Sequence, residues 1–509
     1  MLKPGGRMSS VHPWRSAALA LLLSASAALN ATPAPAPPQD FATELEALAE
    51  QSDKLERPVA EQARLQTMLA DPRFSRLPQT SQAYALAVAG ANALKLEQSG
   101  EGRALLARAC EIEPGNAFYW YLRSIAEQMD AQWDAAAISM TRRVGLEPTT
   151  ANEIESAAIA PVLMNASPDG AARRALLQAL FDAHWTFAGT DPSDQWYALA
   201  MLKYEAGERD SIAPVLERIR TPFGIVRLRA DHRFDAWVDL QDKRWDVRRA
   251  AQNELDALRV RNLLDPDDME VLVALTQSLV ALKQSEEALR ISGQVAEFVS
   301  EQQSQEPDGE GPYTHMDQYV WLLDQRAEAL ISVGRLDEAL ALRRELAQMP
   351  EAGGGTNVSQ VLNLAELLAT MNRPAEALAL LDQPGPKSPY GEMNVQLIRL
   401  VAAEQLHDHD AGTQAMDYLR AHRQDAPTRY LQALLYRDEI DEAASFVRDA
   451  LASPARRGDM LYYVQRWPED EKLPAYVPLQ PRRRALLARA DVQTAIDAVG
   501  RSETYDFAP

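Results

Sequence analysis

The chain reads as all-α, a solenoid of stacked antiparallel helical hairpins, and three observations carry that prediction. Ala327 and Ala339, Ala365 and Ala377, and Ala403 and Ala415 lie twelve residues apart within each pair, and each pair follows the last by 38. Small residues at fixed spacing on two helices let the backbones approach closely. Between the members of each pair stand Gly334 to Glu338, Asn372 to Glu376 and Asp410 to Gly412, sets that end one helix and begin another. The composition agrees: apolar residues are 46% and charged residues 25%, Ala and Leu dominate, and β-branched residues are sparse.

Residues 1–31 have the pattern of a secretory signal peptide. Lys3, Arg7 and Arg15 precede a short apolar core, Ala17 to Leu29, and Ala25-Ser26-Ala27 or the site after Ala31 suits cleavage. That core is shorter than the roughly 20 residues of a spanning helix. Residues 32–39 read as a Pro/Ala-rich spacer, and 40–78 as N-terminal capping helices divided at Pro58. Hairpin repeats follow over 79–300, irregular in the middle. Gly90 pairs with Gly102, and Ser124 with Ala136, each again twelve apart. Residues 301–313 are acidic, rich in Gln and Gly, and predict an inserted loop. Repeats resume over 314–453, with Ala443 in the second helix of a shorter final hairpin. An irregular segment and a last amphipathic helix, Arg482 to Val499, complete 454–509; that helix is expected to cover the open end of the stack.

Pro114 and Pro148 close successive units 34 residues apart, and Trp120, Ser124, Trp133, Ala136 and Pro148 fall at the positions of the tetratricopeptide repeat, which the chain resembles. Trp196, Leu199, Ala200 and Gly207 after Asp191-Pro192, and Leu272, Leu275, Thr276, Leu279 and Ala288 after Asp265-Pro266, keep the register. The resemblance covers roughly residues 80 to 450. It departs from the family in the 38-residue period of the later repeats, and in Leu330, Leu368 and Leu406 where the family has Tyr. The resemblance implies a right-handed superhelix whose first helices face a concave groove that binds a protein partner.

In that register Glu328, Glu366 and Glu404, with Asp324 one turn earlier, form an acidic stripe along the groove. Exposed carboxylates there would hold Lys or Arg of a partner peptide, each pair contributing about 0.2 to 1 kcal/mol. The Lys and Asn set with which some family members grip a C-terminal carboxylate is absent, since Asp324, Leu362 and Leu400 stand at its positions. Phe118 and Tyr121, within the aromatic run Phe118 to Tyr121, are candidates for a stacking surface that would take a peptide or a sugar ring. His407-Asp408-His409-Asp410 has metal-ligand chemistry but sits at a turn without a second ligand pair, so no metal and no cofactor is expected.

No nucleophile elbow, zinc-protease pair, phosphate loop or dinucleotide fingerprint is found, so no catalysis is expected. Cys110, the single cysteine, excludes an internal disulfide and falls on an apolar helix face. The formal net charge is −21, and loss of Lys3, Arg7 and Arg15 with a signal deepens it by three. Such a surface disfavours nucleic acid and anionic lipid. The expected function is an exported scaffold, periplasmic or secreted and without a membrane span after cleavage, that binds an envelope or export protein. Two alternatives from other classes are a solenoid handling an exported polysaccharide and an envelope hydrolase with a polar pocket between residues 160 and 250.

Overall fold

The computed structural model describes residues 39–53, 58–187, 191–305, 311–351, 354–382, 385, 387–468 and 472–507. The proposed signal segment lies outside them. The described residues are α-helical and 3-10 helical, with no strand among them. The all-α fold of stacked antiparallel hairpins is the one the sequence predicts. The chain divides into two compact units between Ile219 and Arg220, a boundary inside the stretch whose repeat register was weakest.

In the first unit, α1 (Gln39–Asp53) and α2 (Pro58–Leu69) both pack on α3 (Gln79–Lys95), which pairs with α4 (Ser99–Ile112). The approach of α3 and α4 depends on two glycines. A methyl group at Gly90 would meet Leu106 at 2.7 Å, and one at Gly102 would meet Leu94 at 2.7 Å. The next hairpin is α5 (Ala117–Met129) with α6 (Trp133–Leu146), and here the buried Ser124 donates its hydroxyl to the carbonyl of Ala136 at 3.2 Å. α6 then packs on α7 (Ser156–Asn165) and α8 (Ala171–Asp182), and α9 (Ser193–Glu205) and the short α10 (Ala213–Leu216) follow. Arg218 fastens this end: it donates to Asp191 at 2.6 Å and to the carbonyls of Phe181 and Trp185, beneath the buried Trp196.

The second unit starts with α11 (Pro222–Ala230) and α12 (Val247–Leu264), then the hairpin of α13 (Met269–Ala281) and α14 (Ser285–Gln305). α14 runs five residues into the expected 301–313 loop, because Glu and Gln sustain a helix and Ser304 bonds back to the carbonyl of Ser300 at 2.8 Å. Hairpins follow in α15 (Tyr319–Ser332) and α16 (Leu336–Leu346), α17 (Val358–Thr370) and α18 (Pro374–Leu381), α19 (Pro389–Leu406) and α20 (His409–Ala421), and α21 (Pro427–Tyr436) and α22 (Ile440–Ala452). Ala327, Ala339, Ala365, Ala377, Ala403, Ala415 and Ala443 are all buried between paired helices. First helices also touch first helices, α13 on α15, α17 on α19 and α19 on α21. One continuous apolar core results, from Ala230 to Ile496.

Most hairpins turn in the same way. The second residue after the first helix, or at His407 the first, takes a left-handed conformation, and the next N–H returns to a carbonyl five residues back. Gly207 and Gly334 suit that conformation, whereas Glu97, Ala131, Lys283, Asn372, His407 and Asp438 adopt it with a side chain. His407 and Asp408 are thereby explained as turn and cap, since Asp408 accepts from Ala411 N at 3.1 Å.

The end of the second unit differs from the expected cap. Arg482 to Val499 is not one helix but two, α24 (Leu479–Ala488) and α25 (Ala490–Asp497), after α23 (Pro454–Tyr463). Arg489 is extended between them, its guanidinium held by Asp491 at 3.0 Å and Asp441 at 2.6 Å. Instead of covering an open end, this region returns to the start of the unit: α23 packs on α11. Arg501 donates its backbone N–H to Ala230 O at 2.8 Å and its side chain to Arg229 O and Asp235, and Arg229 forms a two-pronged pair with Glu503 at 2.9 and 2.6 Å. At the seam Asp231 is fully buried and forked by Arg233.

Candidate functional site

The expected groove residues lie on the first helices of the second unit, but they are not a row of free carboxylates. Asp324 and Glu328, one turn apart on α15, both bind Arg343 of α16, whose side chain is 3% exposed. Asp324 also accepts from Asn363 of α17 at 2.9 Å. Glu366 on α17 is held by Arg429 of α21 at 2.9 Å, a bond across 63 residues that passes over an entire hairpin. Glu404 lies 3.4 Å from Arg437 and is the most exposed of the three glutamates, at 38%. The 38-residue spacing does align the acids, and the chain supplies an arginine to each. Glu328 thus ties the two helices of one hairpin together, while Glu366 and Glu404 join separate hairpins. The sequence reading missed Arg343, Arg429 and Arg437 because they follow no common period.

Glu366 is the centre of this inner face. Burial pushes its carboxyl up, but the charge of Arg429 and hydrogen bonds from Arg429 and Tyr476 more than offset that and hold it below the ordinary value. Tyr476 reaches it from a single 3-10 turn, Pro474–Tyr476, and its hydroxyl lies 3.3 Å from Glu366 Oε1. Leu473 and Ala475 beside it are buried in the same core as α17, α19 and α21. Around Glu366, Thr370, Asn394, Gln432 and Tyr436 line a small cleft. Asn394 Oδ1 and the Tyr436 hydroxyl are buried there without a hydrogen-bond partner.

Phe118 and Tyr121 stack on each other, centroids 6.4 Å apart, on α5 of the first unit. Tyr121 is buried, so only Phe118 keeps an accessible edge. Trp120 is half-buried, donates to Pro114 O at 3.0 Å and carries Arg123 over its ring. Cys110 is buried, and burial pushes its thiol up to about 12, which removes the thiolate needed for reactivity.

Among the described residues, Asp268, Glu270 and His315 are the one group with metal-ligand atoms close together. Two of them already serve the local structure. Asp268 caps α13 by accepting from Glu270 N at 2.9 Å, and His315 Nδ1 donates to Asp268 Oδ1 at 3.1 Å, helping to fasten residues 311–318 to that helix. His315 carried no sequence signal. A depression of about 300 Å³ lies under residues 503–507, lined by Arg229, Asp246, Arg248 and Glu503. Its charges are spent on each other, Arg229 with Glu503 and Arg248 with Asp506.

No known family model matches the chain, and no curated protein sequence matches it. Solved structures with a detectable likeness include yeast Tom70, at 11% identity over 83% of this chain and 95% of that one, with a TM-score of 0.31. The Rap protein complexed with competence and sporulation factor is 13% identical over 90% of this chain and 99% of that one, with a TM-score of 0.30. The Cut9–Hcn1 hetero-tetramer gives 11%, 90%, 86% and a TM-score of 0.32 in the same order.

Proposed function

We propose that this chain is a scaffold that binds a protein partner on the inner face of its second unit and performs no chemistry itself. One observation carries the reading: side chains from separate hairpins converge on that face, where Arg429 of α21 meets Glu366 of α17 at 2.9 Å and Tyr476 joins them. Such a surface is ordered before a partner arrives, so less conformational entropy is lost on binding. Asn394 adds an amide oxygen that the fold leaves unused. The signal-like pattern of residues 1–31 supports export, and with it a partner among envelope or export proteins.

Capture from an envelope extract tests the reading, comparing wild type with Asn394→Arg/Gln432→Arg. The expected result is one protein retained in fixed proportion by the wild type and lost in the variant at unchanged helicity. Retention by both forms, or turnover of peptidoglycan or glycan by the purified protein, overturns it. For export, amino-terminal sequencing of the native protein should begin at Ala28 or Thr32; an intact Met1 in the cytoplasmic fraction would refute it.

A further inference from the structure

The inner face of the second unit already has an occupant, supplied by the chain itself. Leu473-Pro474-Ala475-Tyr476-Val477 lies against α17, a first helix of the stack, and is followed directly by α24, which packs on α21 and α22. It is held differently from the rest of the unit. The hairpins interlock through helix faces and buried arginines, whereas this segment has one 3-10 turn, the buried side chains of Leu473 and Ala475, the ring of Tyr476 packed against the same core, and one side-chain bond of 3.3 Å from Tyr476 to Glu366. Pro474 and Pro478 each remove a backbone donor and fix the segment in a short, self-contained form. Val477 projects to solvent, 49% exposed, between the buried Ala475 and Leu479.

We propose that residues 473–477 are an internal ligand that occupies the partner site, and that the partner enters by displacing them with a short segment of the same chemistry. That segment has a branched and a small apolar side chain, as Leu473 and Ala475 do, and an aromatic residue whose hydroxyl or ring N–H donates to Glu366. Glu366 is held by Arg429 at both carboxylate oxygens and accepts the Tyr476 hydroxyl at Oε1. An acidic segment is disfavoured, because it would set a carboxylate against Glu366. This inference rests on the partner-binding reading of the same face.

The test uses the full chain and a fluorescein-labelled synthetic peptide, Lys-Leu-Pro-Ala-Tyr-Val-Pro-Leu-Gln, the sequence of residues 472–480. A variant with Leu473→Asp, Ala475→Asp and Tyr476→Ala should stay helical and bind the peptide at least about tenfold more tightly than wild type does. Adding Glu366→Gln should remove most of that gain, and a peptide with Phe in place of Tyr should bind more weakly. No peptide binding by the folded variant overturns the proposal. Should that variant fail to fold, hydrogen exchange of Tyr476→Phe decides: amides of 473–477 should exchange faster than those of α17 and α21. Exchange no faster than that of those helices marks the segment as ordinary core and overturns the proposal. If the variant binds the peptide while neither form captures an envelope protein, the internal ligand stands and the partner reading falls.

Discussion

Single residues fix the closure of the second unit most tightly at Gly500. A methyl group there would fall on the carbonyl oxygen of Ala230 and against Leu461, at the point where Arg501 N–H bonds Ala230. Gly500→Ala should therefore lower stability by about 1 to 3 kcal/mol, read as a reduced urea midpoint. The opposite sign is expected at Lys283. Its left-handed conformation strains a side chain, and Lys283→Gly should gain roughly 0.5 to 1 kcal/mol in the same measurement. Glu366 supplies a pH dependence. Its carboxyl is held below the ordinary value of about 4.3, so its contribution is present above that pH and is lost as pH falls through the folded pKa. Wild type should thus exceed Glu366→Gln in stability at neutral pH, and the difference should shrink in acid. None of this strain and charge compensation is legible in sequence. The glutamates were found because they share the period of the small residues; their arginines obey only the three-dimensional packing.

Helices and turns were far more legible, because they depend on neighbours along the chain. The pairs Gly90 with Gly102, Ser124 with Ala136 and Ala365 with Ala377 were placed by spacing, and each sits at a close helical approach. Gly102→Leu should force α3 from α4 and cost about 1 to 3 kcal/mol, seen as a lower thermal midpoint with loss of cooperativity in the first unit. Where a boundary depends on distant contacts, the reading fails. The break at Arg489 is held on one side by its neighbour Asp491 and on the other by Asp441, 48 positions earlier. His315 is similar, as its partner Asp268 lies 47 residues away. The bond to Asp268, with Glu270 and Asp317 nearby, raises its pKa above the ordinary 6.5. That attachment is complete below the ordinary value and is lost as pH rises through the elevated one. Protection factors of the amides in residues 311–318, which correct for base catalysis of exchange, should therefore fall on alkalisation, and His315→Gln should remove that fall.

At the scale of the molecule, repetition predicted the fold class, yet it says nothing about where repetition stops. The break between Ile219 and Arg220 lies among short helices and scattered aromatics that no period describes. The return of residues 499–507 to α11 was likewise hidden, since a repeat register describes neighbours and this contact joins residues some 270 positions apart. The acids on the first helices were legible from their spacing, whereas the contact of Tyr476 with Glu366, 110 positions apart, was not.

That long return sets an order in time. Ordinary stacked hairpins can settle one after another as each leaves the ribosome, because every hairpin needs only its predecessor. Here the carbonyls of Arg229 and Ala230 and the Arg229 guanidinium wait for Arg501 and Glu503, so the second unit stays unfinished until nearly the whole polypeptide has been made.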